Sequence, residues 1–169
     1  MGDGSLPNAF VYVKAGLQGS WPSPQTAVEL NQINCVFIPH VFGVQVGQPL
    51  EVNNFDATIH NVHCQAEKNE RFNLSQPKRG AHDVRVFDRP EIMIRIKCDV
   101  HPWMRAWCGV LDHPFFAVSA KDGTFELRGL PAGEYEIEAW HELWGRRSAT
   151  VRVGADETRE ADFVFGSRS

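Results

Sequence analysis

The segment from Cys98 to Met104 contains side chains suited to holding a transition metal. Cys98, His101 and Met104 supply a thiolate, an imidazole and a thioether within one short stretch. Zinc sites favour cysteine and histidine, whereas two imidazoles, one thiolate and a weakly bound methionine suit copper that changes between Cu(II) and Cu(I). The segment therefore predicts a copper site that needs one more histidine.

A second histidine lies upstream, in the stretch His60-Asn61-Val62-His63. Alternate side chains of a strand share a face, so His60 lies on the same face as Val62 and His63 lies on the other. Both histidines could reach a metal from this segment. The alternation favours His60 as the ligand and predicts that His63 is a surface residue beside the site.

Short strands are expected to position these residues, because alternating runs separated by Gly, Pro, Asn and Asp recur along the chain. The only weakly helical stretch is 67–74, and the connection 65–89 reads as long and irregular. The predicted fold class is therefore all-β, a sandwich or barrel. The alternating runs are 9–14, 41–53, 91–98, 106–111, 115–118, 124–128, 135–141, 149–153 and 161–165.

The strand that leads into the metal-binding segment has a clear two-residue period. Its apolar residues share a face with Cys98, and its charged residues face the other way. Cys98 is thus expected to end a buried stripe. The inward set is Ile92, Ile94 and Ile96, and the outward set is Glu91, Arg95 and Lys97.

The spacing Cys-x-x-His-x-x-Met, with His-Asn-Val-His upstream, resembles the ligand pattern of the cupredoxins, and its short ligand loop resembles the amicyanin type. The resemblance covers roughly residues 33–111. It implies a Greek-key β-sandwich with one type 1 copper ion, held by His60, Cys98, His101 and Met104. The longer stretch 65–89 and the cysteines at positions 64 and 108 depart from the family pattern.

A second motif follows a change in the turns near residue 112. The stretch 121–135 contains Asp122-Gly123 and Leu130-Pro131-Ala132-Gly133, and it resembles carboxypeptidase regulatory-like, transthyretin-type β-sandwiches, which are usually structural or interaction modules. Because residues 113–169 hold too few strands for an independent sandwich, they are expected to recruit the N-terminal strand at 8–15. The predicted domains are a copper domain at 33–112 and a smaller module formed by 1–32 and 113–169, with the first inserted into the second.

Composition excludes several partners. The 169 residues include 17 Lys and Arg and 21 Asp and Glu, for a net charge of -4, with the basic residues scattered. This charge pattern gives no surface for nucleic acid or anionic lipid. No apolar run is long enough for a transmembrane helix, and Met1–Ser5 lacks the features of a signal peptide. The resemblance to the cupredoxins implies an extracytoplasmic, periplasmic-type protein, and a signal peptide is then expected to have been removed.

The remaining cysteines and histidines leave alternatives open. Cys35 could form a disulfide with Cys64 or with Cys108, and the latter two could equally be buried thiols. A second, catalytic copper site would need the remaining histidines, but no His-x-His pair is present. The histidines in question are His40, His113 and His141.

The function predicted from these observations is one-electron transfer between extracytoplasmic protein redox partners of the cytochrome, dehydrogenase or oxidase type. One copper ion per chain would change between Cu(II) and Cu(I), and the chain would not itself be an enzyme. Two alternatives remain: a copper-delivery or storage protein, and the copper subunit of a larger redox complex. Trp103, inside the ligand loop, is expected to pack over the metal and to form part of an apolar docking rim.

Overall fold

The computed structural model describes residues 4–166, and these residues form strands and turns without helix. The prediction of an all-β fold is confirmed. Residues 1–3, which belong to the segment tested for a signal peptide, and residues 167–169 lie outside the described part. Between residues 4 and 166 there is no helix with the length and apolar character needed to cross a bilayer.

The chain divides into two compact units. The ligand unit is Trp21–Pro114, and the terminal unit combines the residues up to Ser20 with those from Phe115 onward. The ends of the ligand unit approach each other, since the rings of Trp21 and His113 lie 6.2 Å apart between centroids.

The ligand unit contains two sheets. Parallel pairs occur in both: β10 pairs with β4, and β2 pairs with β5. The five-stranded sheet has the order β4-β10-β9-β6-β7 and the four-stranded sheet the order β3-β2-β5-β8. The strands are β2 (Val28–Ile33), β3 (Val36–Ile38), β4 (Val41–Gln45), β5 (Pro49–Asn54), β6 (His60–Cys64), β7 (Phe72–Gln76), β8 (His82–Val86), β9 (Glu91–Lys97) and β10 (Arg105–Leu111).

These bounds correct two expectations. The run 41–53 is two strands separated by a turn, in which Gln48 N donates to the Gln45 carbonyl at 3.0 Å. The stretch 65–89 contains β7 and β8, and the segment 67–74 is not helical. Its side chains alternate in burial from Phe72 to Gln76, which suits an extended strand paired with β6.

Side chains from both sheets pack into one core, so the ligand unit is a β-sandwich. Polar contacts between buried glutamines and the backbone cross that core. Gln32 on β2 and Gln76 on β7 are fully buried, and Gln32 Nε2 donates to Gln76 Oε1. Gln76 Nε2 in turn donates to the Val52 carbonyl on β5 at 3.0 Å. Because His60 is the register partner of Gln76, this link joins the two sheets beside a predicted ligand.

A β-bulge interrupts β9 and overturns part of the predicted alternation. Cys108 pairs with Ile94, but Val110 pairs with Glu91, so two residues of β9 oppose one of β10. Met93 has a φ of 63° at this point. The bulge leaves Ile92 only partly buried and turns Glu91 inward, to 7% exposure, whereas the sequence alternation placed Ile92 inside and Glu91 outside.

The buried Glu91 carboxylate is satisfied by the chain after β6. It accepts hydrogen bonds from the backbone nitrogens of Glu67 at 2.6 Å and of Lys68 and Asn69 at 3.0 Å each. The Asn69 side-chain amide adds a fourth bond at 2.9 Å. These hydrogen bonds compensate the charge of the buried Glu91 carboxylate. In its absence the same loop donors would bind water.

The terminal unit has one four-stranded sheet of order β11-β1-β12-β13. The N-terminal strand pairs with β11 and with β12, and its residues Phe10, Val11, Tyr12 and Val13 are all buried. Tyr135, Ile137 and Ala139 of β12 are buried, but Glu138 and Trp140 are buried as well, so burial does not alternate at the end of this strand. The strands are β1 (Phe10–Ala15), β11 (Phe116–Val118), β12 (Gly133–His141) and β13 (Gly145–Val153).

Two predicted strands of this unit, 124–128 and 161–165, are not strands. Thr124 is held in a turn by Asp122, whose carboxylate accepts from the Thr124 backbone nitrogen at 3.0 Å and hydroxyl at 2.7 Å. The apolar residues of the two segments contact each other instead, and the rings of Phe125 and Phe163 lie 6.0 Å apart. Alternation there reflects side-chain packing between loops and not a hydrogen-bonded ladder.

Candidate metal centre

Two segments of the ligand unit bring the predicted ligands together. His60 is the first residue of β6, and Cys98, His101 and Met104 lie in the loop between β9 and β10. The loop closes on itself, since Cys98 N donates to the Met104 carbonyl at 3.1 Å and Met104 N to the His101 carbonyl at 2.9 Å. Met104 is 1% exposed, so its thioether is held inside the unit.

The two imidazoles and the thiol converge. His60 Nδ1 lies 3.0 Å from His101 Nδ1, and Cys98 Sγ lies 3.8 Å from the same His101 nitrogen. The His101 backbone nitrogen also points at Cys98 Sγ, at 3.4 Å. Both His60 Nδ1 and Cys98 Sγ thus lie close to His101 Nδ1, and the side chains of His60 and Cys98 are almost fully buried. This set of donors suits copper.

Asn61 connects the two ligand-bearing segments. Its Oδ1 accepts from the Asp99 backbone nitrogen at 2.6 Å and from the Cys98 thiol at 3.3 Å. Its Nδ2 donates to the Asp99 carboxylate at 2.8 Å. A side chain that fixes the thiol and also holds the start of the loop limits how far the loop can move relative to β6.

Asp56 orients His60 from the other side. Its Oδ2 lies 2.9 Å from His60 Nε2, so the ring presents Nδ1 to His101. The same carboxylate accepts from the backbone nitrogens of Asn34 at 2.7 Å and Cys35 at 2.8 Å. Burial alone would raise the pKa of Asp56, but these three hydrogen bonds outweigh burial and hold the pKa below its usual range.

Cys35 is the residue that sequence reasoning missed as a possible ligand. The ligand atoms of Cys35, His60 and His101 all lie within 4.8 Å of one another. This is the one such group of histidine, cysteine and acidic side chains among residues 4–166. One feature of the sequence could have drawn attention to Cys35: it stands in Asn34-Cys35, a two-residue connection between β2 and β3.

His63 lies on the opposite face of β6 from His60, as the alternation predicts. Its Nδ1 contacts Asp99 Oδ2 at 2.9 Å, and its side chain is 31% exposed. Lys97 Nζ also contacts the Asp99 carboxylate, at 2.7 Å. Lys97, Asn61 and His63 together hold the pKa of Asp99 far below its usual range.

The other predicted candidates stay outside this group. His40 Nδ1 contacts the Arg105 carbonyl at 3.0 Å, His113 packs beside Trp21, and the Leu143 backbone nitrogen donates to His141 Nδ1 at 3.2 Å. Each of these histidines therefore has a structural contact of its own.

The four cysteines are free thiols, so neither disulfide considered for Cys35 forms. Cys64 and Cys108 are buried in the sandwich core. Burial raises the pKa of Cys64 to about 11 and raises that of Cys108 well above its ordinary value. Both thiols are therefore protonated at neutral pH and act as small apolar side chains.

Trp103 projects from the ligand loop with 62% of its surface exposed. Its ring centroid lies 5.2 Å from that of His101, and its Nε1 donates to the Cys35 carbonyl at 2.9 Å. The indole thus packs beside one imidazole and holds the loop against the turn between β2 and β3.

No protein-family model matches this sequence, and no curated protein matches it. Among solved structures, the chain is similar to a reduced mutant of amicyanin, with 24% identity over 50% of this chain and 81% of that chain and a TM-score of 0.44. It is similar to the novel purple cupredoxin from Nitrosopumilus maritimus, with 18% identity, coverage of 48% and 97%, and a TM-score of 0.41.

A third similar structure is an enzyme, the copper-containing nitrite reductase from Thermus scotoductus SA-01. Identity is 22% over 61% of this chain, which spans only 26% of the reductase, and the TM-score is 0.46. The similar structures thus include both a cupredoxin and a copper-containing enzyme.

Proposed function

We propose that this chain is a mononuclear type 1 copper protein that carries one electron at a time between extracytoplasmic protein partners. The observation that carries the proposal is the convergence of His60 Nδ1, His101 Nδ1 and Cys98 Sγ. Buried Met104 would supply the weak fourth ligand. Copper bound by these residues would change between Cu(II) and Cu(I) and so accept and release one electron.

The surrounding residues support this function by keeping the ligands in place. Asp56 fixes the orientation of the His60 ring, and Asn61 fixes the Cys98 thiol and the loop that follows it. Ligands that stay in place in both oxidation states lower the energy needed to reorganise the site during electron transfer. The His101 imidazole is less buried than that of His60, so it provides the route by which electrons reach the surface.

We assign the copper site to a cupredoxin domain at 33–112, within the unit Trp21–Pro114. The terminal unit, with the residues up to Ser20 and from Phe115 onward, would form a carboxypeptidase regulatory-like module that acts as a scaffold. The turn residues of its motif support a structural role: Gly123 and Gly129 have positive φ, of 80° and 70°.

The test is a visible absorption spectrum after addition of Cu(II). We expect an intense thiolate-to-copper band with one copper per chain, and we expect Cys98→Ser to abolish it. Cys108→Ala is the matched control, because it removes a buried thiol that is not among the proposed ligands. A band that survives Cys98→Ser would contradict the ligand assignment.

The two alternative functions give different results in the same preparation. A delivery or storage protein would lose copper on repeated oxidation and reduction, whereas an electron carrier retains it. A copper subunit with a catalytic role would bind more than one copper per chain or turn over a substrate in isolation. Stable cycling at one copper per chain therefore favours the carrier.

A further inference from the structure

Cys35 occupies a backbone position that disfavours most side chains. It is the second residue of the two-residue turn between β2 and β3, and both turn residues have positive φ, 54° at Asn34 and 55° at Cys35. Glycine is the preferred residue at the second position of such a turn, because it adopts positive φ without a clash of Cβ. The chain nevertheless places a thiol there.

Hydrogen bonds from both sides of the metal centre hold this turn. The Asp56 carboxylate accepts from the Asn34 and Cys35 nitrogens, and it also contacts His60. The indole of Trp103, two residues after His101, donates to the Cys35 carbonyl. The turn is thus fixed to the residues that carry both imidazoles, and the Cys35 thiol stays within 4.8 Å of their ligand atoms.

The ligands differ in their access to solvent. Cys35 and His101 are partly exposed, whereas His60 is fully buried and Cys98 is 1% exposed. A metal ion that arrives from solvent therefore meets Cys35 and His101 before it reaches Cys98. Thiolate is a soft ligand, and soft ligands bind Cu(I) in preference to harder metal ions.

We propose that Cys35 is an additional ligand of this centre, which together with His60 and His101 binds Cu(I) as the site is loaded. This inference rests on the proposed copper function and adds the route by which copper enters. The Cys35 thiol releases its proton to water as its sulfur binds Cu(I), and no electron is transferred. Cys98 then replaces Cys35 in the final set of ligands: the Cys98 thiol gives up its proton to water as its sulfur binds, and the released Cys35 thiolate takes up a proton from water.

The first test uses Cys35→Gly in the full-length chain. Glycine suits the positive φ, so this variant removes the thiol while keeping the turn and the carbonyl that Trp103 contacts. Cu(I) is supplied as its coloured bicinchoninate complex, and loss of that colour measures uptake by the protein. We expect uptake to slow by about tenfold, the scale on which changes near a metal alter its binding. The visible band of the Cu(II) form should be unchanged.

The second test separates the two thiols. Cys98→Ser should lose the visible band but still bind one Cu(I) through Cys35, and the double variant Cys35→Gly with Cys98→Ser should not bind it. Uptake by Cys35→Gly at the rate of the unmodified chain, or no Cu(I) binding by folded Cys98→Ser, would overturn the proposal. Absence of the visible band in the unmodified chain would instead refute the electron-carrier function, while Cu(I) binding could still be measured.

Discussion

The carboxylate of Asp56 lies 2.9 Å from Nε2 of His60, on the side of the ring away from His101. A buried imidazole can present either nitrogen to a metal, and the hydrogen bond at one nitrogen decides which remains available. Asp56 therefore leaves Nδ1 of His60 as the atom that would face copper in the proposed site. Asp56 lies in the loop before β6, and no ligand motif in the sequence identifies it.

Asp56→Asn should weaken copper binding by about tenfold to a hundredfold, because the amide holds the His60 ring and the Cys35 turn less firmly. The visible band should persist at saturating copper, since Cys98 is untouched. Affinity can be measured by competition with a chelator of known strength. Asp88→Asn, at an exposed residue paired with Arg89, is the control. Equal affinities for both variants would argue against a positioning role for Asp56.

His60→Ala should remove the type 1 electron paramagnetic resonance signal, and His63→Ala should leave it nearly intact. The physical reason is their position on opposite faces of β6: His60 is fully buried facing His101, and His63 contacts exposed Asp99. The reverse pattern of signals would transfer the ligand role to His63.

Glu91→Gln should destabilise the ligand unit by about 1–3 kcal/mol at neutral pH, since charge-assisted hydrogen bonds to the loop after β6 are weakened. Burial would raise the pKa of Glu91, but the bonds from Glu67, Asn69 and Lys68 outweigh it and lower the pKa below 4.5. Because the folded state has the lower pKa, its stabilising effect is present above about pH 4.5 and is lost as the pH falls through the folded-state value.

Chemical denaturation between about pH 7 and pH 3 tests this prediction. The variant should show a smaller loss of stability on acidification than the unmodified chain. Glu29→Gln, at an exposed residue, serves as the control. Parallel pH profiles for Glu91→Gln and the unmodified chain would show that the buried carboxylate does not contribute to acid sensitivity.

Trp103→Lys should slow electron self-exchange between the Cu(I) and Cu(II) forms by about tenfold, because a charge replaces an apolar contact beside His101 and two like charges meet in the encounter. Trp103 is 62% exposed and its neighbour Val100 is 48% exposed. Trp103→Phe also loses the bond to Cys35 but keeps the apolar surface, so its exchange should be near normal. Broadening of nuclear magnetic resonance lines in mixed samples measures the rate.

If exchange is unaffected by Trp103→Lys but falls when Trp144, the partly exposed tryptophan between β12 and β13, is changed, the docking surface lies on the terminal unit. That unit would then be more than a scaffold. Copper content and the visible band must be unchanged in every variant for the comparison to hold.

Truncation after Asp112 should cause aggregation. It removes β11 and β12, the two strands that flank β1, and leaves the buried residues from Phe10 to Val13 without partners. An unpaired apolar strand is a template for association between chains. Removal of residues 1–15 from the same fragment should restore solubility, as measured by light scattering. A soluble fragment that retains β1 would show that this strand does not depend on the C-terminal residues.

Sequence patterns predicted the all-β class and the alternation in β6, because strand faces follow directly from a period of two. The same rule failed in β9, because a bulge at Met93 shifts the two-residue period. The sequence does not mark this bulge, since Met93 stands where a glycine would have indicated one. It also failed at 124–128 and 161–165, where loop packing produces alternation without strand pairing. The sequence indicates Cys35 only as a disulfide partner, because its approach to His60 and His101 joins segments distant in sequence. Asp56 is not identified, because its contacts with His60 and with the turn at Asn34 and Cys35 depend on how the loop before β6 folds.

The buried pair Gln32 and Gln76 has a consequence for how the ligand unit opens. Separation of the two sheets beside His60 would leave both amides without partners inside an apolar core, so backbone amide protons there should exchange with solvent only through global unfolding. The loop from Cys98 to Met104 is tied to β6 by Asn61 and to the turn between β2 and β3 by Trp103. Both walls of the candidate metal centre are therefore held by contacts that a local opening would break: the two sheets through Gln32 and Gln76, and the ligand loop through Asn61 and Trp103.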